Sequence, residues 1–152
     1  MNYWILKSEA DCYSIDDMQK DKKTAWVGIR NYQARNFMRD SMKIGDLCLF
    51  YHSSSEPTGV FGVVKVVSKP HPDETQFDPK DDHYDPKSTL EKHQWQCVDV
   101  QFVSKFKNPI SLSEIKIRPE LEGIALAQRG SRLSVMPLSE AHFKVIEKLG
   151  TK

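Results

Sequence analysis

Two apolar runs near the middle of the chain restrict its fold more than any other feature. Residues 46–52 (DLCLFYH) and 60–67 (VFGVVKVV) are rich in β-branched and aromatic side chains, and the segment SSSEPTG between them is a turn. Both runs read as strands. A first strand is expected over 3–7 (YWILK), another over 95–103 (WQCVDVQFV), and a short last one over 132–136 (RLSVM). Helices are expected between them. One covers 14–20, with Ser14 as N-cap and Asp17 at its third position; a second runs from a capping Asn31 to about Lys43. Ser111 with Glu114 forms a capping box for a third, and Ser139 caps a last helix that stops at Gly150. In the second helix Ala34, Phe37, Met38 and Met42 recur at helical spacing and should face the core. Arg35, Arg39 and Lys43 then lie four apart on another face. Short turns and long connections between strands favour antiparallel pairing over repeated βαβ units. Closing five or six such strands into a small barrel would remove exposed edges. The expected fold class is therefore α+β, a small barrel of mostly antiparallel strands with flanking helices.

The 152 residues suit a single domain, 1–152, large enough to bury a core. With 39% hydrophobic and 28% charged residues, neither disorder nor a fibre is indicated. No apolar run is long enough to span a bilayer, and no basic segment followed by a long apolar stretch marks export. A soluble monomer of the cytoplasm, or of the nucleus in a eukaryote, is the default expectation. Cys12, Cys48 and Cys97 are odd in number, far apart and without a C-x-x-C pair, so neither a disulfide framework nor a zinc site is expected. Cys48 and Cys97 read as buried reduced thiols. Net charge is only +1, but its distribution is uneven. From 20 to 43 Lys20, Lys22, Lys23, Arg30, Arg35, Arg39 and Lys43 face only Asp21 and Asp40. From 71 to 92 Asp73, Glu74, Asp78, Asp81, Asp82, Asp85 and Glu91 outnumber Lys80, Lys87 and Lys92. Such a molecule would draw a polyanion to one side and repel it from the other, although a charge cluster by itself is ordinarily solvated surface. The polar stretch 68–94 carries Pro70, Pro72, Pro79 and Pro86, and a loop of that length is usually functional or mobile.

The densest polar and aromatic segment is WVGIRNYQARNF, from Trp26 to Phe37. Trp26 and Tyr32 offer faces for stacking; Asn31, Gln33 and Asn36 carry paired donors and acceptors. Arg30 and Arg35 can fork onto a phosphate or stack on a base, and Gly28 allows close backbone approach. Taken alone, the same residues describe an amphipathic helix with a capping Asn and a core Trp. Three smaller clusters are Tyr51-His52-Ser53, Tyr84-Asp85-Pro86 and Arg132-Leu133-Ser134. His71, Asp73, His83 and Asp85 match no metal-ligand spacing, and a solvated acidic loop accounts for them better. Lys7, Ser8 and Glu9 could support acid–base work, but neighbouring polar residues are common. No P-loop, dinucleotide fingerprint or nucleophile elbow is present.

Read together and in order, YWILKSE from Tyr3, WVGIRNYQARNF from Trp26, FYHS from Phe50, HYDP from His83, WQCVDV from Trp95 and RLSV from Arg132 closely resemble the EVE domain. The resemblance covers nearly the whole chain. It implies a PUA-like fold, related to the YTH, ASCH and PUA domains, and a non-catalytic module that binds DNA or RNA carrying a modified base. The leading candidates are 5-methylcytosine and its oxidised forms, flipped into a pocket. The resemblance places Lys7, Ser8, Trp26, Gly28, Asn31, Tyr32, Tyr51, His52, Ser53, Tyr84, Arg132 and Ser134 around that pocket. Trp26 would be a stacking wall, and Asn31 and Ser8 would read the base edge. Arg30, Arg35, Arg39 and Lys43 would contact phosphates. No metal or cofactor is implied. The sequence departs from the family pattern at Val27, where an acidic residue usually follows the tryptophan, at Ala10 in place of proline, and at Met136 in place of glutamine. The alternative is an ASCH-like hydrolase acting on a modified nucleoside, with Lys7 and Glu9 as its acid–base pair.

Overall fold

The computed structural model describes residues 1–53, 57–128 and 133–152. Six strands form the central sheet: β1 (Tyr3–Glu9), β2 (Lys23–Ala25), β3 (Leu47–Ser53), β4 (Gly59–Val66), β7 (Asp99–Ser111) and β8 (Val135–Leu138). Their spatial order is β2-β7-β4-β3-β1-β8. A separate ribbon pairs β5 (His71–Pro72) with β6 (Gln96–Cys97). Neighbours in the main sheet are antiparallel except β1 and β3, which run parallel. The long crossover between those two strands permits the parallel pairing, because it contains α1 (Ile15–Asp21), β2 and α2 (Tyr32–Asn36). The α+β, PUA-like fold is present, its barrel built as a curled half-barrel. Register shifts within the β3–β4 and β4–β7 ladders bend the strands, and β7 is long enough to cross from one core to the other. The edge strands β2 and β8 are short, and β8 contains Pro137, which limits edge-to-edge pairing.

Alternation along the strands buries both faces of the sheet. Trp4, Leu6, Cys48, Phe50, Val64, Val66 and Val100 point to one face, where they pack with Met18, Trp26, Ala34, Met38 and Met42. Ile5, Leu49, Tyr51, Val63, Phe106 and Ile110 point to the other, against Ile115 of α3 (Leu112–Ile117) and Phe143 and Ile146 of α4 (Glu140–Thr151). Asp46 ties elements together at the start of β3. It is 1% exposed and accepts from the Asn2 amide, the Trp4 indole N–H and the Lys43 amide. Cys48 and Cys97 are buried free thiols. Among the described residues no helix is long and apolar enough to cross a membrane.

Several local elements differ from the sequence pattern. The helix begun by Asn31 stops being α-helical at Asn36 and continues as a π-turn over Phe37–Ser41, closed by the Met42 amide on the Phe37 carbonyl. Lys43 therefore lies beyond the helix and does not continue the row of Arg35 and Arg39. Ser14 and Asp17 do form a reciprocal capping box, but the box expected at Ser111 is only half made. The Glu114 carboxylate turns to Arg118 instead. Gly150 is no helix stop; it lies inside α4, where a Cβ would overlap the Phe106 ring. The run 95–103 splits, with Gln96–Cys97 joining the ribbon and β7 starting at Asp99.

Candidate functional site

At the C-terminal end of β1 the sheet opens into a cleft of about 520 Å³, inside the range of roughly 300–1,000 Å³ typical of small-ligand sites. Strand β1 contributes Lys7, Ser8 and Glu9, the turn after it Cys12 and Tyr13, and β2 with its continuation residues 24–29; His83 and Ser134 complete the wall. The Ser8 hydroxyl donates to the Tyr13 carbonyl at 2.5 Å, which leaves its oxygen lone pairs as acceptors. The Lys7 amide donates to the Ser134 carbonyl at 2.8 Å and its ammonium lies 5.7 Å over the Tyr51 ring. Burial lowers the Lys7 pKa from its ordinary value. Trp26 is only 6% exposed, edge-on to Phe50 and Tyr13, so a small part of its ring borders the cleft. Burial and a 2.8 Å hydrogen bond to Asp21 push the Tyr13 phenol up to about 12, keeping it a neutral donor. Val27, 40% exposed, makes an apolar lip where a carboxylate would have changed the chemistry.

The far wall depends on a buried latch. Gly28 adopts φ +87° and brings its backbone against the His83 imidazole; a Cβ would come 2.9 Å from Nε2. Its amide donates to Asp73 at 2.8 Å. Asp73 is fully buried and also accepts from Arg30 and from the amide and hydroxyl of Thr75. Burial alone would raise its pKa, but the hydrogen bonds from Thr75, Gly28 and Arg30 outweigh it and hold the carboxyl below the usual range. Arg30 also donates to the His83 carbonyl at 2.7 and 3.0 Å and to Thr75. The acidic stretch therefore packs on the basic one instead of facing away from it. Its aspartates are mostly turn acceptors: Asp73, Asp78, Asp81 and Asp85 each accept the amide two residues on. Asp85 further accepts from the Trp95 indole, and buried Gln76 bridges to both backbone groups of Trp95.

Of the residues singled out from sequence, Lys7, Ser8, Trp26, Gly28 and Ser134 line the cleft. Asn31 caps α2 by accepting from the Ala34 amide. Tyr32 stacks on Trp95 and donates to Gln94, outside the cleft. Tyr51 lies beneath Lys7. His52 accepts the Ile15 amide and stacks on Phe61, with burial lowering its pKa against an opposing pull from Asp16. Ser53 donates to the Ser8 carbonyl, and Tyr84 is exposed beside His83. Arg132 lies outside the described residues. Among the cations, Arg30 and Arg35 are engaged within the fold, Arg39 pairs with Asp40, and Lys43 is exposed. Sequence reading does not single out Tyr13, Val27, Ile29 and His83 as cleft residues. HYDP and WVGI carry three of them, but only the fold brings those segments together.

His71, Cys97 and Asp99 meet in a way that resembles a nucleophile–base–acid series. His71 pairs with Asp99 at 2.8 Å, and the Cys97 sulfur is 3.6 and 3.8 Å from the two ring nitrogens. Cys97 is fully buried and burial pushes its thiol up to about 12, so it is not a thiolate at neutral pH. Among the described residues no three His, Cys, Asp or Glu side chains are grouped to hold a metal ion.

The family model described as EVE domain matches residues 2–149. Thymocyte nuclear protein 1 of Gallus gallus is 42% identical, over 97% of this chain and 68% of that protein. A Pseudomonas syringae protein of solved structure superposes with a TM-score of 0.92 at 46% identity, covering 97% of this chain and 98% of that one. The structure of human THYN1 protein in complex with 5-methylcytosine-containing DNA superposes with a TM-score of 0.91 at 37% identity, covering 100% and 99%. A Zymomonas mobilis ASCH protein, at 0.59 and 9% identity, shares the fold alone.

Proposed function

The chain belongs to the EVE domain family, and on that premise we propose that it binds DNA carrying a modified base and holds that base, flipped from its stack, in the cleft at the end of β1. The observation that carries this reading is the cleft itself: a hollow of about 520 Å³ beside Trp26, with a cation and an acceptor at its floor. The human relative solved with 5-methylcytosine-containing DNA supports both the partner and the base. Ser8, its proton already donated to Tyr13, accepts from the exocyclic amine of a cytosine. Lys7 donates to the ring's acceptor edge, and Val27 and Ile29 supply an apolar wall for a substituent at the 5 position. Flipping costs a few kcal/mol, which contacts to the extruded base and the flanking phosphates offset.

The module acts by binding, without turnover. Lys7 and Glu9 share the cleft, so the hydrolytic alternative is tested directly. Lys7→Ala and Ser8→Ala should each weaken binding of an oligonucleotide with one 5-methylcytosine, while leaving affinity for the same sequence with plain guanine in that position unchanged. Incubation with modified cytidines should return them intact. A converted product that disappears in Lys7→Ala would replace this reading with the hydrolase.

A further inference from the structure

We propose that Tyr32, outside the cleft, is a second stacking platform, on which a nucleobase flanking the flipped one rests. Tyr32 lies 55% exposed on the first turn of α2. Its ring stacks on Trp95, centroids 4.9 Å apart and planes 18° apart, and its hydroxyl donates to Gln94 at 2.6 Å. Trp95 is itself fixed by its indole N–H on Asp85. The exposed ring is thus held in one orientation before any ligand arrives, which removes an ordering cost from binding. Arg35 lies 4.8 Å from the Tyr32 centroid and 5.9 Å from that of Trp95. At these distances the guanidinium sits beside the stacked pair and not squarely opposite Trp95, and the 55% exposure of Tyr32 leaves part of its ring to solvent. A flat, partly exposed aromatic face flanked by guanidinium suits a nucleobase of any identity.

The charge around the platform fits a polyanionic strand. Arg35 and Arg39 occupy the following turns and Lys43 the exit of the π-turn; Asp40 is the only acid between Tyr32 and Lys43, and Asp85 is taken up by the Trp95 indole. The platform is also joined to the cleft. Arg30 donates to the His83 carbonyl on the cleft side and lies 5.2 Å over the Trp95 ring on the platform side. A strand that leaves its modified base beside His83 passes this arginine to reach Tyr32. The inference rests on the proposed base-reading function and adds a second contact point to it.

Fluorescence anisotropy with an oligonucleotide carrying one 5-methylcytosine, and with its unmodified twin, separates the two. Tyr32→Leu should weaken both by roughly 5- to 150-fold, the range that stacking on one aromatic carries, and leave the ratio between them unchanged. Tyr32→Trp should bind as the wild type does. Abasic sites placed one at a time beside the modified base supply a ligand-side check that needs no variant to fold. One flanking position should cost the wild type the same factor and cost Tyr32→Leu nothing further. Wild-type affinity in Tyr32→Leu, or strictly additive losses at every flanking position, would overturn the platform. A change confined to the modified-to-unmodified ratio would also overturn it, by making Tyr32 a reader of the modification. A ratio of one in the wild type would instead count against the function on which the inference rests.

Discussion

At the scale of single residues, burial decides which groups can do chemistry and which hold the fold. His52 is neutral because its Nε2 accepts a helix amide and its ring is packed against Phe61. Burial lowers its folded pKa, so the unfolded chain binds the proton first. The stability this contributes is full above about pH 6.5, the unfolded value, and is lost as pH falls through the depressed folded one. His52→Gln, which keeps an acceptor, should flatten that part of a melting-temperature profile against pH. Asp73 has the same sign in a lower window. Its contribution is present above about pH 3.9 and disappears as pH falls through the depressed folded value. Asp73→Asn should cost about 2–4 kcal/mol in denaturant unfolding, since Arg30 would lose its buried counter-charge. In the proposed base site Lys7 acts as a cation, so its role there lasts only while it is charged. Its lowered pKa means that affinity should decline on the alkaline side sooner than an ordinary lysine would allow.

At the scale of elements, the connection 26–30 and the loop 71–95 form one unit. Gly28 and Arg30 are where they touch, and at Gly28 the positive φ together with the His83 contact excludes a side chain. Gly28→Ala should cost about 1–2 kcal/mol through backbone strain and push His83, reducing affinity more than stability. Sequence patterns disclose most of this scale but not all of it. The strands β3 and β4, the caps at Ser14, Asn31 and Ser139, and the core positions Ala34, Met38 and Met42 are local matters of periodicity and hydrogen-bond chemistry, and they are legible in the chain. The parallel pairing of β1 with β3, three-residue β2 and the π-turn depend on distant partners, and no local pattern announces them. The role of the loop's aspartates is hidden for the same reason. A run of acids looks like solvated surface until their turn-closing amides and the Arg30 guanidinium are in place. Family resemblance located the cleft through Lys7, Ser8, Trp26 and Gly28. Asn31 and Tyr32, which it puts beside them, are not in that lining: Asn31 caps α2 and Tyr32 stacks on Trp95.

At the scale of the molecule, the proposed function has a near-neutral chain meet a polyanion through a few exposed cations. Arg30 is not among them, because its guanidinium is engaged by Asp73, Thr75 and His83. Arg39→Gln and Lys43→Gln should each reduce the slope of log affinity against log salt by about one without moving the melting temperature. Arg30→Gln should lower the melting temperature instead. In the proposed function the cleft distinguishes a modified base from its parent. The most direct measurement is the ratio of dissociation constants, at one fixed salt concentration, for two oligonucleotides that differ only by the 5-methyl group of one cytosine. The wild-type protein should bind the methylated strand more tightly; Ser8→Ala, which removes a contact common to both cytosines, should weaken both strands alike, and Val27→Ser, which removes part of the apolar wall, should bring the ratio toward one. Equal affinity for the two strands in the wild type would mean that the cleft does not read the methyl group.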